Sequence, residues 1–228
     1  MAEMKFKFTI QPYQTEAVDS VAGVFAGQPF NDHFTYRRDV EIQRDVTNWM
    51  LSDEELSMGF ANAKVQLDSG QLLENIHRIQ ARNNIKLSNS LKSGGLGVCS
   101  LDVEMETGTG KTYVYIKTMF ELNKLYGWSK FIVVVPSIAI REGVQKSFET
   151  MREHFKAYYG KIIRPFVYNS KKLSDIDNYS QSADINVMII NIQAFNARGK
   201  DARRIRTELD DFGTRRPIDV IQANRPIV

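Results

Sequence analysis

Met105-Glu106-Thr107-Gly108-Thr109-Gly110-Lys111-Thr112 lies between an apolar stretch at 98–105 and a helical pattern at 111–125. A glycine-rich turn between a strand and a helix is the context a nucleotide-phosphate loop requires. Gly108 and Gly110 allow backbone conformations in which a Cβ would clash. Successive N–H groups then point inward and cradle phosphate oxygens at a helix N-terminus. In such a loop Lys111 reaches the β- and γ-phosphates, and the Thr112 hydroxyl holds Mg²⁺. The stretch fits G-x-x-x-x-G-K-[ST] except at its first position, where Met105 replaces glycine. It reads as a site for ATP or GTP rather than as a mere tight turn.

Outward from the loop, the chain alternates strand and helix. Residues 98–105 are a candidate buried strand. Residues 111–125 are helical, with Ile116, Met119, Phe120 and Leu122 on the apolar face and Gly127 as the stop. Phe131-Ile132-Val133-Val134-Val135 is β-branched without alternation, as expected of a central strand covered on both faces. Residues 137–156 read as helix, and 164–168 and 186–190 as extended. This pattern predicts an α/β fold with a mainly parallel sheet. Arg225-Pro226-Ile227-Val228 reads as a strand just beginning. Upstream, an extended start at 5–10 leads through Gln11-Pro12 into a helix over 13–25, where Pro12 suits the first turn. Residues 28–95 read as a helical insertion of polar pieces. Within it, Ser52-Asp53-Glu54-Glu55 offers a capping box, and Leu72, Leu73, Ile76 and Ile79 recur at helical spacing.

Composition narrows the class. Of 228 residues, 43% are hydrophobic and 25% charged, a balance that excludes extensive disorder. The longest apolar run is the five residues 131–135, too short to span a bilayer, so no membrane partner is expected. The start lacks a secretory h-region, and the cytoplasm is the expected compartment. The single cysteine, Cys99, excludes an internal disulfide and a cysteine zinc cage. His33, His77 and His154 lack metal-ligand spacing, and Trp49 and Trp128 read as packing residues rather than base-stacking platforms. The net charge of +3 matches the local excess at 196–216, where Arg198, Lys200, Arg203, Arg204, Arg206, Arg215 and Arg216 outnumber four acids. Such a cluster is either a solvated helix face or a set of phosphate-neutralising groups.

With the first glycine replaced, the loop resembles that of superfamily 2 helicase motors, and in detail that of the restriction (Res) subunits of type III restriction-modification enzymes. Other segments follow in the same order. Gln11-Pro12-Tyr13-Gln14 resembles an adenine-reading glutamine motif, 133–144 resembles motif Ia, and Ile189-Ile190-Asn191-Ile192-Gln193-Ala194-Phe195 resembles the next strand-end motif. The resemblance spans nearly the whole chain. It implies a three-layer RecA-like P-loop domain over 1–228 carrying the insertion at 28–95. It also implies ATP and Mg²⁺ as cofactors, double-stranded DNA and a modification methyltransferase subunit as partners, and ATP-driven movement on DNA coupled to cleavage.

Site roles follow from that resemblance and from side-chain chemistry. Thr107, Gly108, Thr109, Gly110, Lys111 and Thr112 form the ATP-binding loop, with Lys111 and Thr112 catalytic and Thr112 on the metal. A glutamine carboxamide complements adenine N6 and N7, so Gln14 is either the base reader or an exposed helix residue. Ser137 and Arg141 follow a strand end and would contact DNA backbone; Ser137 is also a candidate helix N-cap. Gln193 follows another strand end and is either a DNA contact or a structural turn. Asp53-Glu54, the sole Asp-Glu pair, precedes the loop and reads as capping rather than as the catalytic acidic pair. The Asp-Glu motif, the second motor domain and the nuclease domain are therefore expected beyond Val228, and residues 1–228 alone are expected to be inactive. Two other readings compete: a different superfamily 2 motor, such as a type I restriction subunit or a repair helicase, and a nucleotide-binding module without turnover.

Overall fold

The computed structural model describes residues 8–31, 34–37, 58–93, 97–195 and 204–228. The chain divides into two compact units, one from 1–31 and 64–127, the other from 32–63 and 128–228. The capping box at 52–55, Trp49 and His33 lie outside the described residues. Among the described residues, no helix is long and apolar enough to cross a membrane.

Among the described residues, the first unit holds three helices: α1 (Pro12–Gly23), α2 (Ser69–Arg82) and α3 (Lys111–Tyr126). Pro12 opens α1, and Gln11 before it is extended. A capping box starts α2: Gln71 N donates to Asp68 Oδ1 at 2.8 Å, and Asp68 N donates to Gln71 Oε1 at 3.0 Å. The periodic apolar face of α2 buries Leu72, and Asn75 Nδ2 donates to Val24 O and Ala26 O just past α1. In α3, Ile116, Met119, Phe120 and Leu122 are buried as the spacing predicts, and Gly127 ends the helix at φ +78°. Tyr126 Oη donates to Ala22 O at 2.8 Å, and the buried Lys117 Nζ donates to Thr15 Oγ1 at 2.8 Å, joining α3 to α1.

One expectation fails in this unit. Residues 98–105 form no strand, and Val98 and Val103 are 47% and 50% exposed. Apolar, β-branched composition supplies propensity, but a strand exists only by pairing. Among the described residues no strand pairs with this segment. Its Ser100 N donates instead to Lys92 O at 2.7 Å.

The second unit contains a short antiparallel pair, β1 (Phe34–Arg37) and β2 (Met58–Ala61), where the sequence suggested helical pieces. Its main element is a parallel sheet of β3 (Lys130–Val135), β4 (Ile163–Val167) and β5 (Ile185–Asn191), in the order β3-β5-β4. Among the described residues it also holds the helices α4 (Ile138–Tyr159), α5 (Ser174–Gln181) and α6 (Pro217–Ala223). This is the expected α/β architecture with a parallel sheet. The fully covered central strand is β5, not 131–135: Val187, Met188, Ile189 and Ile190 are buried, whereas Val134 in β3 is exposed. On its other edge β3 meets the chain end. Ile132 N donates to Ile227 O at 2.8 Å and Ile227 N to Lys130 O at 3.0 Å, an isolated parallel bridge where the sequence suggested a strand beginning. Ile132, Met188 and Ile190 share one core with Ile176 and Tyr179 of α5, Ile205, Phe212 and Val220.

Candidate functional site

The phosphate-loop candidate belongs to the first unit. Thr109 turns back on Glu106, with its Oγ1 donating to Glu106 O at 2.7 Å. Gly108 and Gly110 adopt φ +83° and +88°, the left-handed region that disfavours any side chain. Gly110 is the N-cap of α3, and its carbonyl accepts the first helical bond from Val114 N at 3.0 Å. The N–H groups of Lys111, Thr112 and Tyr113 therefore precede the helical ladder, where a helix offers donors and the positive end of its dipole to an anion. Lys111 and Thr107 are exposed, and Thr112 is half-buried. Beside it, burial pushes the Tyr115 hydroxyl pKa up to about 12.

Gln14 is not an exposed helix residue. It is 8% exposed, and its Nε2 donates to Thr109 O at 2.9 Å. Tyr13, its neighbour, donates from Oη to the same carbonyl at 3.0 Å. A Cβ added at Gly110 would lie 2.5 Å from Gln14 Nε2 and push the amide aside, and the positive φ already favours glycine there. Sequence reasoning missed Tyr13. Its only signal was its place beside Gln14, and an exposed tyrosine at a helix start has no motif of its own.

A metal site must be judged by donor chemistry. Mg²⁺ is held by oxygen ligands, commonly one or two from protein with the rest from phosphates and water. The Thr112 hydroxyl at the mouth of the loop fits that demand. Among the described residues no group of three or more His, Cys, Asp or Glu side chains could hold a metal. His77 Nε2 contacts Ser88 O at 2.7 Å, and His154 lies against the Phe155 ring. Trp128 is buried, with its indole N–H donating to Ala63 O at 3.0 Å, a packing role.

The second candidate surface lies in the second unit. Ser137 follows β3 and caps α4, accepting from Ile140 N at 3.3 Å through Oγ. Arg141, one turn into α4, is half-exposed, and Gln193 is exposed in the 3₁₀ turn Ile192–Phe195 after β5. Because β3 and β5 are parallel neighbours with Val135 opposite Asn191, both loops leave the same end of the sheet. Ile138, Ile140 and Ile192 are exposed there as well.

The basic cluster divides. Arg198, Lys200 and Arg203 lie outside the described residues. Arg215 donates from Nη2 to both carboxylate oxygens of Asp177 at 3.1 and 3.2 Å and lies over the Phe212 ring, 4.3 Å from its centroid. Arg216 pairs with Asp219 at 2.6 Å, and Arg206 donates to Phe195 O at 2.8 Å. Arg215 thus joins α5 to the Phe212 turn and serves the packing of its own unit.

Residues 73–213 match the family described as "Type III restriction enzyme, res subunit". The chain is 28% identical over 242 residues to the EcoP15I Res subunit of Escherichia coli, covering 97% of this chain and 23% of that protein. It is 32% identical over 163 residues to the EcoPI Res subunit of Escherichia phage P1, covering 71% of this chain and 15% of that protein. The StyLTI Res subunit of Salmonella typhimurium is 32% identical over 174 residues, 67% of this chain and 17% of that protein. The chain spans less than a quarter of the length of these relatives. It belongs to the type III restriction enzyme Res-subunit family.

Proposed function

We propose that this chain is the nucleotide-binding motor part of a type III restriction endonuclease subunit, one that uses ATP to move along or switch on duplex DNA and cleave it beside a modification methyltransferase partner. Residues 1–228 act as its first motor domain, with 28–95 as an insertion, and the subunit works in the cytoplasm. The observation that carries the reading is the glycine loop at the N-terminus of α3, with Gly108 and Gly110 both at positive φ. Backbone N–H groups after Gly110 bind phosphate oxygens, and the Lys111 ammonium neutralises charge that builds on the β/γ bridge. Mg²⁺ bound through Thr112 would supply further charge neutralisation. Gln14 offers its carboxamide oxygen to the adenine amino group while its Nε2 stays on the loop. Ser137, Arg141 and Gln193 contact DNA backbone, which fixes position without reading sequence.

The test is Lys111→Ala in the natural full-length subunit, assayed with its methyltransferase partner and duplex DNA. Lys111 is exposed, so folding is retained while ATP-dependent cleavage is lost. Normal ATP turnover in the folded variant would remove the assignment.

A further inference from the structure

We propose that Tyr13 is a positioning residue for the phosphate loop, holding the Thr109 carbonyl so that the following N–H faces the nucleotide; this rests on the ATP-binding reading above. A carbonyl oxygen has two lone pairs. At Thr109 one accepts from Gln14 Nε2 at 2.9 Å and the other from Tyr13 Oη at 3.0 Å. In a trans peptide the C=O and the next N–H point in opposite directions. Fixing Thr109 C=O toward α1 therefore fixes Gly110 N–H away from it, on the side where the loop would receive phosphate.

The peptide between Thr109 and Gly110 needs such a restraint. Gly110 stands at φ +88°, and glycine visits both signs of φ with similar ease, so this peptide plane can turn over at little steric cost. Turning it over would aim a carbonyl, not a donor, at an anion. With Gln14 alone the turn breaks one hydrogen bond; with Tyr13 it breaks two. Thr109 is also held from the other side, through its Oγ1 bond to Glu106 O. Tyr13 is 48% exposed, and its hydroxyl is the group that bonds the loop.

The experiment is Tyr13→Phe in the natural full-length subunit, with calorimetric titration of inorganic tripolyphosphate, ATP and GTP, and steady-state ATPase. Tripolyphosphate carries no base, so it reports the loop alone. Losing one hydrogen bond of this kind is expected to weaken tripolyphosphate and ATP binding by a similar factor, about two- to tenfold. The ATP-to-GTP preference and the unfolding midpoint stay unchanged. Unaltered tripolyphosphate affinity overturns the proposal, as does a loss confined to ATP, which would make Tyr13 a base contact. A fall in the unfolding midpoint matching the loss of affinity overturns it too, in favour of a structural role. Failure of the wild-type subunit to bind either ATP or tripolyphosphate would instead remove the phosphate-loop reading itself.

Discussion

Asn62 grips Lys130 by both of its backbone polar groups: Oδ1 accepts from Lys130 N at 2.9 Å and Nδ2 donates to Lys130 O at 2.8 Å. The same carboxamide accepts from Ser129 N at 2.8 Å and donates to Arg225 O at 3.0 Å. One buried side chain thus joins the end of β2, the start of β3 and the segment that leads to Ile227. Asn62→Ala leaves Ser129 N and Lys130 N buried without that acceptor, each costing about 1–3 kcal/mol. Urea unfolding should register a loss of at least about 2 kcal/mol for the second unit, with no change in nucleotide preference.

Lys130 also makes stability depend on pH. Its side chain is wholly buried, donating to Tyr179 O in α5 and to Ser182 O just past it, and lying over the Tyr179 ring. Burial lowers its pKa from 10.5 to about 7, against the opposing pull of Asp184. Between pH 7 and 10.5 the unfolded chain therefore binds more protons at this site than the folded one, and stability from this site rises with pH. Below pH 7 both states are protonated and the penalty for the buried charge is constant. The slope is at most about 1.4 kcal/mol per pH unit. Lys130→Met should lack this slope when the two proteins are compared by urea unfolding across pH 7–10.

Gln14→Ala should weaken both nucleotides, but unequally. Loss of the brace on Thr109 removes about 1 kcal/mol from ATP and GTP alike. Loss of the single adenine contact through the carboxamide oxygen adds a further loss of about 0.5–1.5 kcal/mol to ATP alone. Parallel titrations of the two nucleotides measure the difference. Equal losses would leave Gln14 with the loop role only.

Arg141→Ala should reduce affinity for all duplex sequences by a similar factor. If Arg141 neutralises one phosphate, the slope of log affinity against log salt should fall by about one. Fluorescence anisotropy of a labelled duplex at several salt concentrations reads both quantities. A sequence-dependent loss would move Arg141 from the phosphates to the bases.

The elements legible in the sequence were those whose own residues carry the signal. Leu72 and Ile76 mark a helix by period, Gly127 marks its neighbour's end, and the run from Phe131 to Val135 marks a strand by β-branching. Elements that depend on partners were not legible. Residues 98–105 have the composition of a strand and no pairing among the described residues, while the four-residue strands β1 and β2 have pairing and almost no signal. Helices α5 and α6 are eight and seven residues long, too short for a period to emerge. At the candidate site the glycine loop was readable because its chemistry is written in consecutive residues. Its brace was not, because the contact of Tyr13 and Gln14 with Thr109 spans more than ninety positions.

That brace sets the unit that could be moved between proteins. Residues 105–112 look like a portable cassette, yet the slot beside Gly110 is shaped by an amide from a different helix, and the Thr109 carbonyl finds both of its donors there. A graft of the eight residues alone would carry the glycines and leave behind the surface they rest on. The transplantable piece is discontinuous: the loop, the first turn of α3, and the Pro12-Tyr13-Gln14 corner of α1.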